Sequence, residues 1–454
     1  MMLPENPLPG DRPAGLSRTI PRQSRLALAT RGAFVVASSA AHLLPAAAGA
    51  AVLRPLRGRT AAARFFYRRL VRHLQRLGPA PVKFGQIMGT RRDLLPPLLC
   101  DELGRLHDRV RPMSGRQVRR ALREAYGPDL SRHFTEVETT ARASGSIAGV
   151  YRAVRPDGRE VALKLQRPGI RRRMALDLAL IHGAAALAEK LPPGRGVPLA
   201  ELTGFVCAAV LGQLDFAGER TNLAELRRNF AESDNVWIPA TLPELCRPNC
   251  LAMEFIPDLV ARPVAEIDPA RRPRLAARTV SAVYQMLFLD GFVHCDLHPG
   301  NVYFKGPRVV VLDAGFSIRL DPTVRRQFAD FFLGLALGRG RQCGEVVVDS
   351  AVRVAPDADV DGFIGRVAEL VKRNTGVPAK EFQLTRFGTE LFTLQRDFGL
   401  YAASEFVFPL LSLLVIEGTV RDLDPDIDFQ AAARPMLLRA AAETAHLAPQ
   451  RRAG

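Results

Sequence analysis

Three side chains late in the sequence have the types and spacing to hold a divalent cation against a polyphosphate. Asp296 and Asn301 lie five residues apart in the run His294-Cys295-Asp296-Leu297-His298-Pro299-Gly300-Asn301, and Asp313 follows in Asp313-Ala314-Gly315. A carboxylate and an amide oxygen are hard ligands suited to Mg²⁺, and a second carboxylate can face an attacking or polarised oxygen. The elements around them follow from pattern. Leu275 to Phe292 is apolar with helical spacing and has Gly291 near its end, which predicts a buried helix. Val302–Phe304 and Val309–Leu312 flank Lys305-Gly306-Pro307 and read as a hairpin. A loop between helix and hairpin therefore presents Asp296 and Asn301, and Asp313 leaves the second strand.

This is the layout of a protein-kinase active site, with a His-x-Asp-x-x-x-x-Asn loop followed by the Asp of an Asp-Phe-Gly-like motif. A His-x-Asp-x-His metal cluster is the rival, disfavoured because Pro299-Gly300 turns the chain before His298 could share a helical face with His294. His294 reads as a packed, hydrogen-bonded histidine.

Lys164 is the candidate partner from the first half. Lysine occurs six times against many arginines, so Lys83 and Lys164 stand out. Ala143-Ser144-Gly145-Ser146-Ile147-Ala148 is a small-residue loop entering a strand from Val150 to Val154. A turn at Pro156-Asp157-Gly158 leads to Glu160–Gln166, which carries Lys164. Small residues let backbone N–H groups approach phosphate, and Lys164 would pair with it. Its apolar neighbours argue against an ordinary surface lysine. Leu199 to Asn229 is read as one long helix carrying Gln213, Asp215 and Glu219, with Glu219 placed to orient Lys164. A local pair with Arg220 is the alternative for that carboxylate. The strand Leu251–Glu254 and the following Phe255-Ile256-Pro257 form a link between lobes, where the backbone at Glu254 and Ile256 would meet adenine.

Length (454 residues), 47% hydrophobic and 24% charged residues fit a globular chain of two or three domains or one two-lobed unit. Six scattered cysteines show no disulfide framework, and Cys246 and Cys250 lack a second ligand pair for zinc. The net charge of +17 is uneven: no acidic residue lies between Asp11 and Asp93, against sixteen Arg and Lys. Such a run attracts anionic lipid; sparse aromatics and the lack of a recognised module exclude nucleic acid as the favoured partner. A plain solvated face is the alternative. Residues 1–25 read as a disordered proline-rich lead-in. Ala33–Leu53 reads as a membrane-apposed or packed helix, too alanine-rich and interrupted to span a bilayer. Ala61–Leu77 is a basic amphipathic helix that suits either an anionic bilayer or the body of the protein. Phe406–Ile416, broken by Pro409, is too short to span.

Together these pieces resemble the UbiB/AarF family of atypical kinase-like proteins over about 70–429. Lys83-Phe84-Gly85-Gln86 is similar to its Lys-x-Gly-Gln motif, and 143–148 to its Ala-rich loop. Val161-Ala162-Leu163-Lys164-Leu165-Gln166-Arg167-Pro168-Gly169-Ile170, the 294–301 loop, and Glu417-Gly418-Thr419 with Leu423-Asp424-Pro425-Asp426 are close to its other signatures. The resemblance implies an α+β, two-lobed protein-kinase-like fold with a helical N-terminal extension and a mostly helical C-terminal lobe. The expected division is 1–60 basic lead-in with apolar helix, 61–130 helical extension, 131–257 N-lobe and 258–454 C-lobe. It further implies ATP and Mg²⁺ as cofactors, Lys83 and Gln86 occupying the place of a protein substrate, and ATP hydrolysis or small-molecule phosphorylation. That activity would support quinone or isoprenoid-lipid metabolism at the inner face of the cell membrane, with a lipid-like substrate and biosynthetic enzyme partners. A nucleotide-sensing scaffold and a true protein kinase are the alternatives. Only a few residues separate Gly315 from Asp321-Pro322, which leaves no room for a long activation segment. Three departures stand out: Gln213-Leu214-Asp215 for Glu-x-Asp, Gly145 for Ala, and Ala314 for Phe, the last implying looser packing behind Asp313.

Overall fold

The computed structural model describes residues 23–106, 111–190, 198–259 and 264–447; most of the proline-rich lead-in lies outside them. Its last residues already open α1 (Arg25–Leu77), where the Ser24 hydroxyl accepts the Ala27 N–H. α1 is two helices folded back on each other. Gly58, at φ +82°, makes the turn between them, a conformation that costs a glycine little. Across the pair, Ser39 meets His73 at 3.0 Å, the His42 and His73 rings stack at 5.3 Å, and Arg31 donates to the Leu77 carbonyl at 2.7 Å. A Cβ on Gly49 would lie 2.9 Å from the Phe65 ring, so that glycine permits the close approach. Val71 and Leu74 of the second arm pack with Val82, Leu103 and Leu106. These come from α2 (Pro79–Thr90), the chain just after α3 (Pro97–Leu103), and α3 itself.

α4 (Gly115–Tyr126) opens with a Ser114/Gln117 capping box and buries Val118, Ala121, Leu122 and Tyr126. That face lies on an antiparallel sheet of β1 (Glu136–Val137), β2 (Ala143–Ser144), β3 (Ala148–Val154), β4 (Glu160–Gln166) and, later in the chain, Cys250–Glu254. On β3 and β4, side chains alternate between the α4 side (Tyr151, Ala153, Leu163, Leu165) and the opposite side, where Lys164 stands across from Val150 and Leu251. The turn at Gly158, φ +80°, closes the β3–β4 hairpin as its sequence predicts.

After α5 (Ile170–Ala188) the stretch expected as one long helix is two. α6 (Leu199–Gly212) and α7 (Phe216–Asn229) meet at 85°. The break has no proline. Instead Gln166 and Arg171 both donate to the Leu214 carbonyl, at 2.5 and 2.7 Å, and pull Gln213–Asp215 out of helical register. β5 (Val236–Trp237) and β6 (Cys250–Glu254) follow, and β6 ends in the link to the second lobe.

That lobe begins with α8 (Arg272–Tyr284), which widens into a π-helical turn over Gln285–Asp290 and stops at Gly291, φ +59°. Such π-turns are frequent beside functional sites. β7 (Phe292–His294), β8 (Val302–Lys305), β9 (Arg308–Val311) and β10 (Ser317–Arg319) carry the loops of interest. β8 and β9 form the expected hairpin, β5 adds to β9 in parallel, and β10 pairs with β7. The rest is largely helical: α9 (Pro322–Ala336), α10 (Gly340–Asp349), α11 (Val360–Asn374), α12 (Leu384–Asp397), α13 (Ser404–Leu423) and α14 (Phe429–Leu447). A small unforeseen pair, β11 (Ala351–Val354) with β12 (Leu400–Ala402), interrupts them. Pro409 does not break α13, contrary to expectation. It removes one hydrogen bond near the helix start, and the buried neighbours Phe406, Val407, Phe408 and Leu410 outweigh that loss. Glu417, from the C-terminal signature, caps α12 by accepting the Leu384 and Thr385 N–H groups, and pairs with Arg421. The architecture is the expected α+β arrangement of two lobes with a helical extension.

Candidate functional site

Lys164 is the hub. Its ammonium lies 2.7 Å from Glu219 Oε1 and 2.9 Å from Asp313 Oδ1. Glu219 reaches it because the bend starts α7 at Phe216 and places the carboxylate in its first turn, on a buried face. Lys164 and Glu219 are nearly buried (12% and 1% exposed), whereas the Asp313 side chain is 44% exposed. Burial pushes the Glu219 carboxyl up to about 7, with Asp313 adding to the rise and Lys164 opposing it. Burial alone would raise Asp313 as well, but the Lys164 ammonium, helped by Lys83, holds it well below the usual carboxylate range. For Lys164 desolvation works against the charge, and the two carboxylates overcome it and raise its pKa. Asp313, kept ionised and partly exposed, is the carboxylate of the cluster able to meet a metal ion. Asp313 also sits at φ +56°, uncommon outside glycine and tolerated best by Asp and Asn.

The loop with Asp296 is tied to the strand before Asp313 through His294. This histidine is fully buried; its Nδ1 accepts the Asp296 N–H at 3.1 Å, and its Nε2 then carries the proton and donates to the Leu312 carbonyl at 3.0 Å. Burial holds its pKa down, so it is neutral. With both ring nitrogens used, the His-x-Asp-x-His metal cluster does not form, and His294 is the hydrogen-bonded brace its context suggests. Asn301 donates its side-chain N–H to the Asp296 carbonyl at 2.8 Å, leaving its oxygen as the atom able to meet a cation. Its own carbonyl accepts the Leu312 N–H at 2.9 Å. His298 stands 3.8 Å from Asp296 Oδ2 and accepts the Gly300 N–H; a Cβ at 300 would lie 2.6 Å from that ring.

The small-residue loop is a tight turn between β2 and β3, closed by Gly145 N–H to the Ala148 carbonyl at 2.8 Å. Arg167 clamps it by donating to the Gly145 carbonyl and Ser144 Oγ, at 2.9 and 3.0 Å. Ile147 and Ala148 are buried there, and the Ser146 hydroxyl is buried without a hydrogen-bond partner. An orphan hydroxyl in such a loop fits a phosphate oxygen as its missing partner. Glu254 ends β6 opposite Val161, its carboxylate turned to the Trp237 and Ala240 N–H groups and its own N–H donated to the Ala240 carbonyl at 2.8 Å. Ile256 is buried just beyond.

From the extension, Lys83 on α2 lies near enough to Asp313 to help hold it ionised. Gln86 spends its amide nitrogen on the Leu106 carbonyl, inside the extension. The loose packing expected behind Asp313 does not occur. Ala314 is fully buried, its carbonyl accepts from Asn222 at 2.9 Å and Ser317 at 3.1 Å, and Phe316 supplies aromatic bulk two residues on. Asn222, Gln166, Arg167 and Arg171 were missed as supports. Asn222 could have been found, since it follows Glu219 by three and shares its helix face.

The ABC1 atypical kinase-like domain matches residues 105–347, and the UbiB helical domain matches residues 367–428. A probable protein kinase UbiB of Vibrio atlanticus (strain LGP32) is 33% identical over 373 residues, covering 80% of this chain and 68% of that protein. One from Edwardsiella ictaluri (strain 93-146) is 33% identical over 376 residues with the same coverage. A solved complex of Rv3197 with erythromycin from Mycobacterium tuberculosis superposes with a TM-score of 0.52 at 18% identity, over 72% of this chain and 83% of that one, a likeness of fold. The Lys164–Glu219–Asp313 cluster thus sits within the matched kinase-like region, and the chain belongs to the ABC1 atypical kinase-like family, with UbiB proteins among its relatives.

Proposed function

We propose that the chain binds ATP with Mg²⁺ between its lobes and either hydrolyses it or passes a phosphoryl group to a small molecule. The observation that carries this is Lys164 meeting both Glu219 and Asp313, with the orphan Ser146 hydroxyl in the small-residue loop that precedes β3. Asp313 and Asn301 would hold the metal, which neutralises charge between the phosphates when bound. Lys164, oriented by Glu219, binds phosphate oxygens. The loop 143–148 offers backbone N–H groups and Ser146, and the backbone at Glu254 and Ile256 takes the adenine. Asp296, its backbone fixed by His294, orients the attacking oxygen. Lys83 and Gln86 belong to the extension that covers the site.

A small acceptor is favoured over a protein. β10 and the Asp321 cap of α9 follow Gly315 within a few residues, so no segment is present to dock a peptide. That opposes the protein-kinase reading, which the relatives' names and Gly145 favour. The family supports a role in quinone or isoprenoid-lipid metabolism, with enzyme partners of that pathway.

The membrane side of the reading rests on the α1 hairpin. Leu26, Phe34, Val36, Leu44, Val52 and Leu56 are exposed on its first arm, and Arg54, Arg57 and Arg59 surround the turn. By length and composition an 18-residue stretch of α1 is apolar enough to cross a bilayer, contrary to the expectation from its alanines, and almost none of it is buried. Folded as a hairpin, it suits lying on the anionic inner face of the cell membrane, at about 1 kcal/mol per basic residue. A nucleotide-sensing scaffold is the second reading, favoured by Gln213 at the bend where the family has a carboxylate. Purified protein with ATP, Mg²⁺ and anionic vesicles separates them. Phosphate release at a steady rate supports the enzyme, and tight binding with none supports the scaffold.

A further inference from the structure

Ser404, Phe408 and Ser412 recur every fourth residue along α13 and are all buried, at 4%, 2% and 1% exposed. That spacing puts them in one stripe about 12 Å long. Between them they touch the extension, α6 and the strands beside both loops. The Ser404 hydroxyl accepts from Arg91 Nη1 of the extension at 3.3 Å. The Phe408 ring meets the Arg91 guanidinium at 5.8 Å, stacks on Phe205 of α6 at 5.3 Å, and takes Phe316 edge-on at 5.2 Å. The Ser412 hydroxyl donates to the His294 carbonyl at 2.8 Å.

Phe316 follows Gly315 directly, and its carbonyl accepts the Cys295 N–H at 2.9 Å. The stripe therefore contacts the extension, the loop that carries Asp313 and the strand that enters the Asp296 loop. Arg91 is fully buried and holds Asp93, also fully buried, through two near-parallel bonds of 2.9 and 2.7 Å. A buried ion pair is a poor source of net stability but a strict one in geometry. Likewise a serine on an otherwise apolar face earns its place only by satisfying a buried carbonyl.

We propose that Arg91, Phe408 and Ser412 are positioning residues. Together they set the Asp313 and Asp296 loops in register with the seated extension, so that the two loops are correctly spaced only when the extension is docked. None of the three touches the reacting groups. The part of this concerning metal and nucleotide rests on the function proposed above; the part concerning loop register does not.

Hydrogen exchange on the full chain tests the register directly, with Arg91→Lys, Phe408→Leu and Ser412→Ala compared with wild type. The expected result is exchange at least about tenfold faster at the Cys295 amide in each variant, with β3 and β4 amides unchanged. Ser412→Thr, which keeps the hydroxyl, is expected to restore slow exchange. In ATP titrations the same variants should need several-fold more Mg²⁺ for half-saturation, at unchanged metal-free affinity. Acceleration confined to residues 402–412, or spread equally over every amide, overturns the proposal, as does a Ser412→Thr variant that behaves like Ser412→Ala. Wild type that binds no Mg-ATP sinks the proposed function, while the exchange result still decides this inference.

Discussion

The Asp313 loop is held from two sides by unlike means. On the α6–α7 side the holding groups are polar: Gln166 and Arg171 bond the Leu214 carbonyl, and Asn222 bonds the Ala314 carbonyl. On the α13 side it is packing, with Phe408 against Phe316 and Phe205 and the Arg91–Asp93 pair sealed beside it. Hydrogen bonds to carbonyls contribute about 0.5–1.5 kcal/mol each and can be exchanged for water near a cleft. Interlocked aromatics around a dry ion pair have no such substitute. By these contacts the polar side is the more yielding of the two and the aromatic side the stiffer wall.

The sharpest way to break that contrast is to break the dry pair. Asp93→Leu leaves Arg91 buried and uncompensated, and is expected to destabilise the protein by about 3–5 kcal/mol in thermal or denaturant unfolding. Arg91→Met combined with Asp93→Leu should recover most of that loss; a double variant as unstable as the single would mean the wall is not built on pairing. Arg171→Leu, on the polar side, should cost less, about 1–3 kcal/mol, because Gln166 still bonds the Leu214 carbonyl.

Glu219 sharpens the comparison through pH. In the folded chain its carboxyl keeps the proton up to about 7, against 4.5 for the ordinary group. Between those values the folded state binds more protons than the unfolded one, so this group makes stability fall as pH rises through the window. Unfolding curves from pH 5 to pH 8 should show that slope, and Glu219→Gln should flatten it. The smallest effect is expected at Gly145, where a Cβ would meet nothing nearer than the Ala148 carbonyl at 3.5 Å. Gly145→Ala should leave stability within about 0.5 kcal/mol while altering nucleotide affinity, read by titration.

The site was legible where chemistry and local structure share a short stretch. Asp296, Asn301 and Asp313 lie on one loop and one strand end, and the β3–β4 hairpin that presents Lys164 follows from alternation and a Pro-Asp-Gly turn. Breakers misled elsewhere, since tertiary forces decide whether a helix bends. Pro409 stays inside an unbroken helix because its neighbours are buried. Leu199–Asn229 bends without any proline, because side chains from β4 and α5 capture one carbonyl. Around Gly58 the sequence shows two separate helices, 33–53 and 61–77, but not that the second folds back on the first, which their mutual packing decides. Ser412 carried no signal, its partner being 118 residues away, and the Arg91–Asp93 pair, though local, gave no sign that Arg91 also reaches Ser404, 313 residues on.

The central claim is that Lys164 and Asp313 share one metal-bound nucleotide. Calorimetric titration of ATP, with and without Mg²⁺, into wild type and Asp313→Asn tests it most directly. The metal is expected to strengthen nucleotide binding about tenfold or more in wild type and to add nothing in Asp313→Asn. An equal gain from Mg²⁺ in both proteins would contradict the account.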